Sequence, residues 1–111
     1  MKRIDATVRT SRLEEIVNRL RLIGVTGMTL TEVYGFGLTT NAAGAPGPRV
    51  RASAAPRYQL MIVVRDEDAA HIVNAIVVAG RTESPGDGVI FVSDVVDALR
   101  IRTGETGTDA L

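Results

Sequence analysis

Apolar and polar side chains alternate from the start of the chain. Ile4, Ala6 and Val8 are separated by Asp5 and Thr7, a period of two that predicts a first strand. The period then lengthens. Leu13, Ile16, Val17 and Leu20 fall at helical spacing and give one apolar face. Ser11 stands three residues before Glu14, the spacing of a capping box, and Gly24 is placed to end the helix. Val25 to Tyr34, rich in Val, Thr and Tyr, predicts a second strand. Tyr58 to Val64, "YQLMIVV", predicts a third with apolar residues on both faces. Asp66 is placed to cap a second helix that ends at Gly80. Its buried side would be Ala69, Ala70, Ile72, Val73, Ile76 and Val77, with His71 at the rim. Val89 to Val92, "VIFV", predicts a fourth strand, again apolar on both faces, and Asp94 to Leu99 a short helical turn.

The order β-α-β-β-α-β is the ferredoxin-like arrangement, an α+β fold with an antiparallel four-stranded sheet and two helices on one face. Strands that are apolar on their second face need a second cover. No sequence remains to supply one, so another copy of the chain is the expected source and a homo-oligomer is predicted. From Gly35 to Pro56 the pattern stops. "GFGLTTNAAGAPGPRVRASAAP" has too little apolar mass to bury and too many breakers for regular structure. It reads as one long exposed loop, at about 38–56, within a single domain spanning 1–111.

Composition narrows the function. At 111 residues and 45% apolar content the chain suits one globular domain. Cysteine is absent and His71 is the only histidine, which excludes disulfides, thiolate metal sites and a histidine cluster within one chain. Nothing reads as a membrane span or a signal peptide, so a cytoplasmic location is expected. Thirteen basic residues balance thirteen acidic ones, and aromatics are few, which argues against a nucleic-acid binder. The balance is uneven along the chain, however. No acid occurs between Glu32 and Asp66, while Arg49, Arg51, Arg57 and Arg65 lie there.

Three stretches carry candidate chemistry: Gly35-Phe36-Gly37 where the second strand opens into the loop, Gly86-Asp87-Gly88 before the fourth strand, and the Arg100 and Arg102 pair in "RIRTGETG". Glycines let backbone N–H groups approach an anion, and arginines add bidentate donors for phosphate oxygens. On an extended chain Arg100 and Arg102 would share a face while Ile101 points into the body. Each stretch alone also has a plain structural reading, as a turn, a relaxed strand end or a solvated pair. Bases suited to catalysis are scarce, so binding is expected rather than enzymatic activity; activation of water near a phosphate by Asp87 ranks below it.

The combination of "TGMTLTEVYGFG", "GDGVIFV" and "RIRTGE" resembles the nitrogen regulatory PII signal-transduction proteins, over the whole chain except roughly Leu38 to Ala55. The resemblance implies a homotrimer with ATP, ADP or AMP bound in clefts between subunits and a target protein engaged by the long loop. It implies that Thr29 contacts adenine and Val63 offers it backbone groups. It implies that Gly35, Phe36 and Gly37 line the cleft at the loop base. Gly86, Asp87 and Gly88 would wrap the phosphates with Thr82 nearby, and Arg100 and Arg102 would clamp them, the second across the subunit boundary. The chain departs from the family pattern in three places. Val89 replaces a usual lysine after Gly-Asp-Gly, which removes one cation from the outer phosphates. Thr39 replaces a glutamine that helps place magnesium and 2-oxoglutarate, and the basic residue after the loop's proline survives as Arg57. The loop lacks the tyrosine that many bacteria uridylylate, leaving Ser53 as a weak candidate for modification. These departures point to a specialised branch. One alternative is an inorganic-carbon-responsive, carboxysome-associated sensor binding bicarbonate beside ADP or AMP, with a transporter, enzyme or carboxysome component as target. Another is a general nitrogen regulator sensing 2-oxoglutarate, and a third is a structural trimer with a vestigial site.

Overall fold

The alternation that begins at Ile4 places Ile4, Ala6 and Val8 on one face of a strand, and all three are buried. The computed structural model describes residues 1–35, 38–40, 46–48 and 56–111. Strand β1 (Lys2–Arg9) leads into helix α1 (Leu13–Leu22), β2 (Thr29–Tyr34), β3 (Leu38–Thr40), β4 (Pro46–Pro48), β5 (Pro56–Val64), helix α2 (Asp66–Gly80) and β6 (Gly88–Asp94). Four of the strands form one antiparallel sheet in the order β2-β5-β1-β6. The fold is ferredoxin-like, as expected. Its core joins Ile4, Ala6 and Val8 of β1 and Leu60, Ile62 and Val64 of β5 to Ile16 and Leu20 of α1 and the small-residue face of α2.

Several boundaries differ from the sequence expectation. The Ser11 capping box is not formed. A 3-10 turn at Thr10–Arg12 precedes α1, its Thr10 carbonyl accepts from the Leu13 N–H, and no side chain caps the helix. Gly24 does end α1, at φ +96, with its N–H on the Arg21 carbonyl. The second strand starts at Thr29 rather than Val25. Asp66 is the first helical residue rather than the cap, and its carboxylate pairs with the Met1 ammonium at 2.9 Å. On α2 Ala70 is exposed, while Ala75 and Ala79 join the core, because the buried stripe follows Ala69, Ile72 and Ile76 through those alanines. His71 is exposed. The loop expected to hold no regular structure contains a short pairing, β3 with β4.

The face of the sheet turned away from the helices is mixed. Register places Arg3, Asp5 and Thr7 of β1 beside Gln59, Met61 and Val63 of β5 and Val89, Phe91 and Ser93 of β6. Arg3 and Gln59 both donate to the Asp5 carboxylate. A partner for this face must therefore satisfy an ion pair as well as cover Phe91, which is 64% exposed in the single chain.

Two leucines on α1 test this layering. Leu20 is fully buried and Leu22 is 84% exposed. Leu20→Ala is expected to lower unfolding free energy by about 2–5 kcal/mol. Leu22→Ala should change it by less than about 0.5 kcal/mol. Urea denaturation followed by circular dichroism measures both, and comparable losses would contradict the placement of α1.

Candidate functional site

Where α2 ends, the chain must turn back to start β6, and the residues that shape this turn are Thr82 and the Gly86-Asp87-Gly88 run. Asp87 accepts a hydrogen bond from the Thr82 amide at 2.7 Å, another from the Thr82 hydroxyl, and one from Arg9 Nε at 3.0 Å. The Thr82 hydroxyl and amide, helped by Arg9, hold the Asp87 carboxyl down at about 2. The carboxylate is thus committed to shaping its own loop. Gly88 sits at φ +107, and a Cβ there would lie 1.7 Å from the Thr7 carbonyl oxygen, so only glycine lets β6 close onto β1. Gly86, at φ +97, faces two guanidinium groups. A Cβ at Gly86 would lie 3.3 Å from Arg9 Nη2 and 3.7 Å from Arg57 Nη2.

These two arginines oppose each other directly across β1 and β5. Like charges in that register repel. Asp87 and the Pro85 carbonyl offset Arg9. Among the described residues, Arg57 donates only to the Pro56 carbonyl, at 3.4 Å, and has no carboxylate partner. Gly35 follows the end of β2 that pairs with Pro56, so it lies at this same end of the sheet. Arg9 escaped the sequence reading. It looks like an ordinary strand end, and only the β1–β5 register gives it meaning.

The other candidates lie at the opposite end. A cavity of about 570 Å³ there is lined by Gly27, Val63, Arg65 and Arg100, among others, and Thr29 follows Gly27 by two residues. Asp94 to Leu99 is not helical: beyond β6 the chain runs to a hairpin closed by a bridge between Leu99 and Thr106. Arg100 N–H donates to the Glu105 carbonyl at 2.8 Å, and Gly104 N–H to the Arg100 carbonyl at 2.8 Å. This turn overturns the expected alternation. Ile101 is 97% exposed instead of pointing into the body, and Arg102 is exposed on the turn while Arg100 lines the cavity.

Within one chain, then, the candidates form two groups. Thr82, Gly86, Asp87, Gly88, Arg57 and Gly35 gather at one end of the sheet; Thr29, Val63, Arg100 and Arg102 belong to the other. Six residue steps along β5 separate Arg57 from Val63, which is about 20 Å at strand rise. Phe36, Gly37, Arg49, Arg51 and Ser53 lie outside the described residues, and Thr39 is placed only by its backbone in β3. Among the described residues, no cluster of three or more His, Asp or Glu side chains could hold a metal ion, and no helix is long and apolar enough to cross a membrane.

Comparison with known proteins matches this arrangement to a family. The family model "Nitrogen regulatory protein P-II" matches residues 1–105. The chain is 42% identical over 112 residues to "Nitrogen regulatory protein P-II 1" of Methanothermobacter thermautotrophicus, covering all of this chain and 97% of that one. It is 40% identical over 112 residues to "Nitrogen regulatory protein P-II" of Cereibacter sphaeroides, covering both chains completely. Among solved structures, that of Arabidopsis thaliana PII bound to citrate superposes with a TM-score of 0.81 at 32% identity, over 99% of this chain and 91% of that one.

The Asp87 clasp predicts an acid response. The folded pKa of Asp87 lies below the ordinary carboxylate value of 3.8, so the fold favours the charged form. Its contribution is complete above 3.8 and is lost as pH falls through about 2. Asp87→Asn should remove that acid transition and speed exchange of the Thr82 amide at neutral pH. A Thr82 amide equally protected in the variant would show that the carboxylate does not hold the loop.

Proposed function

The chain belongs to the nitrogen regulatory protein P-II family, and on that premise we propose that it is a non-enzymatic signal-transduction regulator of the following kind. It binds an adenine nucleotide in clefts between the subunits of a homotrimer and controls a target protein through its long loop. The observation that carries this reading is the separation of the two groups. Gly86, Gly88, Arg57 and Gly35 present amides and a cation at one end of the sheet, while Val63, Arg100 and Arg102 offer backbone groups and cations at the other. A nucleotide that uses both must lie between one chain's first end and a neighbour's second. Val96, Leu99 and Ile101, all strongly exposed around Arg100, supply apolar surface for such a neighbour to cover.

In this arrangement Val63 offers its backbone groups to adenine, with Thr29 beside it. Arg100 and Arg102 neutralise the phosphates, and the amides of the Gly86–Gly88 turn line the same charge from the facing subunit. Asp87 shapes that turn and is already paired, so it adds little repulsion. With Val89 after Gly88, no side-chain cation from this loop reaches the outer phosphate, which favours ADP or AMP over ATP. Ligand contacts that differ between two states of the loop at about 38–56 supply the energy for signalling.

A second reading concerns a co-ligand. Arg57, without a carboxylate partner among the described residues and facing Gly86 beside Arg9, offers a place for a small anion next to the nucleotide. The citrate in the Arabidopsis relative supports a carboxylate-type anion, and the Thr39 departure disfavours magnesium-linked 2-oxoglutarate. Bicarbonate beside ADP or AMP, with a carboxysome component or a bicarbonate transporter as target, fits this chemistry.

Sedimentation should give a trimer at micromolar concentration. Calorimetry should detect ADP and AMP, and Arg102→Ala should weaken either by at least about tenfold, or ~1.4 kcal/mol. A monomer, or no binding by any adenine nucleotide, would end the first reading. Titrating bicarbonate and 2-oxoglutarate into the ADP-loaded protein decides the second; loss of the anion response in Arg57→Ala is expected, and its persistence would remove Arg57 from the site.

A further inference from the structure

Arg100 does not stand open in its cavity. Its Nη2 donates at 3.1 Å to the Ala110 carbonyl and at 3.1 Å to the Leu111 backbone oxygen, so both N–H groups of that nitrogen are engaged. Ala110 and Leu111 line the same cavity as Gly27, Val63 and Arg100. The tail thus occupies the arginine and one wall of the space at once. We propose that residues 108–111 form an autoinhibitory latch that competes with the nucleotide for Arg100. This rests on the reading of that cavity as the adenine and phosphate side of the cleft.

The build of the tail suits a moving part. Gly107 is anchored twice, its N–H donating to the Ala98 carbonyl at 3.0 Å and the Asp97 carboxylate at 3.2 Å. Beyond it comes a single 3-10 turn, Gly107–Ala110, closed by Leu111 N–H on the Thr108 carbonyl at 3.3 Å. No residue of that turn is buried. A segment with so few packed contacts opens at low cost. One of its contacts, to the Ala110 carbonyl, is to a neutral acceptor, whereas phosphate oxygens are charged and bind a guanidinium about twice as strongly. Glu105 stays near Arg100 Nε at 3.9 Å and is itself fixed by the Thr103 hydroxyl at 2.7 Å, so the arginine keeps its orientation when the tail leaves. Nucleotide binding and tail release are then one equilibrium. The tail raises the nucleotide concentration needed to half-fill the cleft.

The test compares the full chain with a variant lacking residues 108–111, using ADP titration calorimetry on the trimer. The variant should bind ADP about threefold to tenfold more tightly, the factor imposed by a latch closed in about 70–90% of molecules. Arg100→Ala should weaken ADP in the full chain, and in that background the deletion should give no further gain. On the full chain, hydrogen exchange at the Leu111 amide should accelerate when ADP saturates the site, a readout that does not depend on the variant folding. ADP binding of equal or lower affinity in the deletion variant, or a Leu111 amide unaffected by ADP, would overturn the latch while leaving the nucleotide reading intact. Failure of both proteins to bind ADP would overturn the two together.

Discussion

Strand β5 holds Arg57 and Val63 about 20 Å apart, and a straight hydrogen-bonded strand cannot bend to close that gap. Everything proposed for this chain follows from that constraint. Two sets of candidate donors lie at opposite ends of one sheet. Either they serve separate purposes, or they meet across a boundary between copies. The exposed apolar residues around Arg100 and the uncovered Phe91 favour the second case. The mixed character of the open face, with Asp5 paired to Arg3 and Gln59, limits what can lie against it. A partner must match that polar pattern.

The cations of the chain share a second theme. Three guanidinium groups near the candidate site have partners within the chain. Arg9 rests on Asp87 and the Pro85 carbonyl, Arg57 on a single long contact to Pro56, and Arg100 on two tail carbonyls. These contacts vary in strength in a useful order. The Asp87–Thr82–Arg9 clasp is charged and three-centred, and it fixes the loop geometry. The contacts of Arg57 to Pro56 and of Arg100 to Ala110 are to neutral carbonyls, which hold a guanidinium less strongly than a charged acceptor does. A site built this way keeps its scaffold rigid and its ligand-facing donors exchangeable.

Much of this was legible in the linear chain, because period and punctuation are local properties. The two-residue alternation at Ile4, Ala6 and Val8 and the helical spacing from Leu13 to Leu20 identified a strand and a helix, and the β-α-β-β-α-β order then named the fold. Gly86-Asp87-Gly88 stood out as a turn with accessible amides, and the family motifs were complete enough to place the chain. Ends of elements were less legible. Ser11 and Asp66 carry capping chemistry, yet a 3-10 turn and the Met1 ammonium took over at those positions. Ile101 and Arg102 misled because alternation holds only while a chain stays extended, and a hairpin turn begins there.

By itself the sequence determined the four strands of the sheet, the two helices, their order and most of the candidate donors, since each depends on neighbours a few residues away. Tertiary structure alone decided which donors meet. The β1–β5 register set Arg9 against Arg57, the contact of β6 with β1 made glycine obligatory at position 88, and the hairpin beyond β6 turned Arg100 towards the tail. Those pairings join residues far apart in sequence. Nothing in local composition encodes them; they arise when hydrogen-bonded strands and packed helices fix the distances.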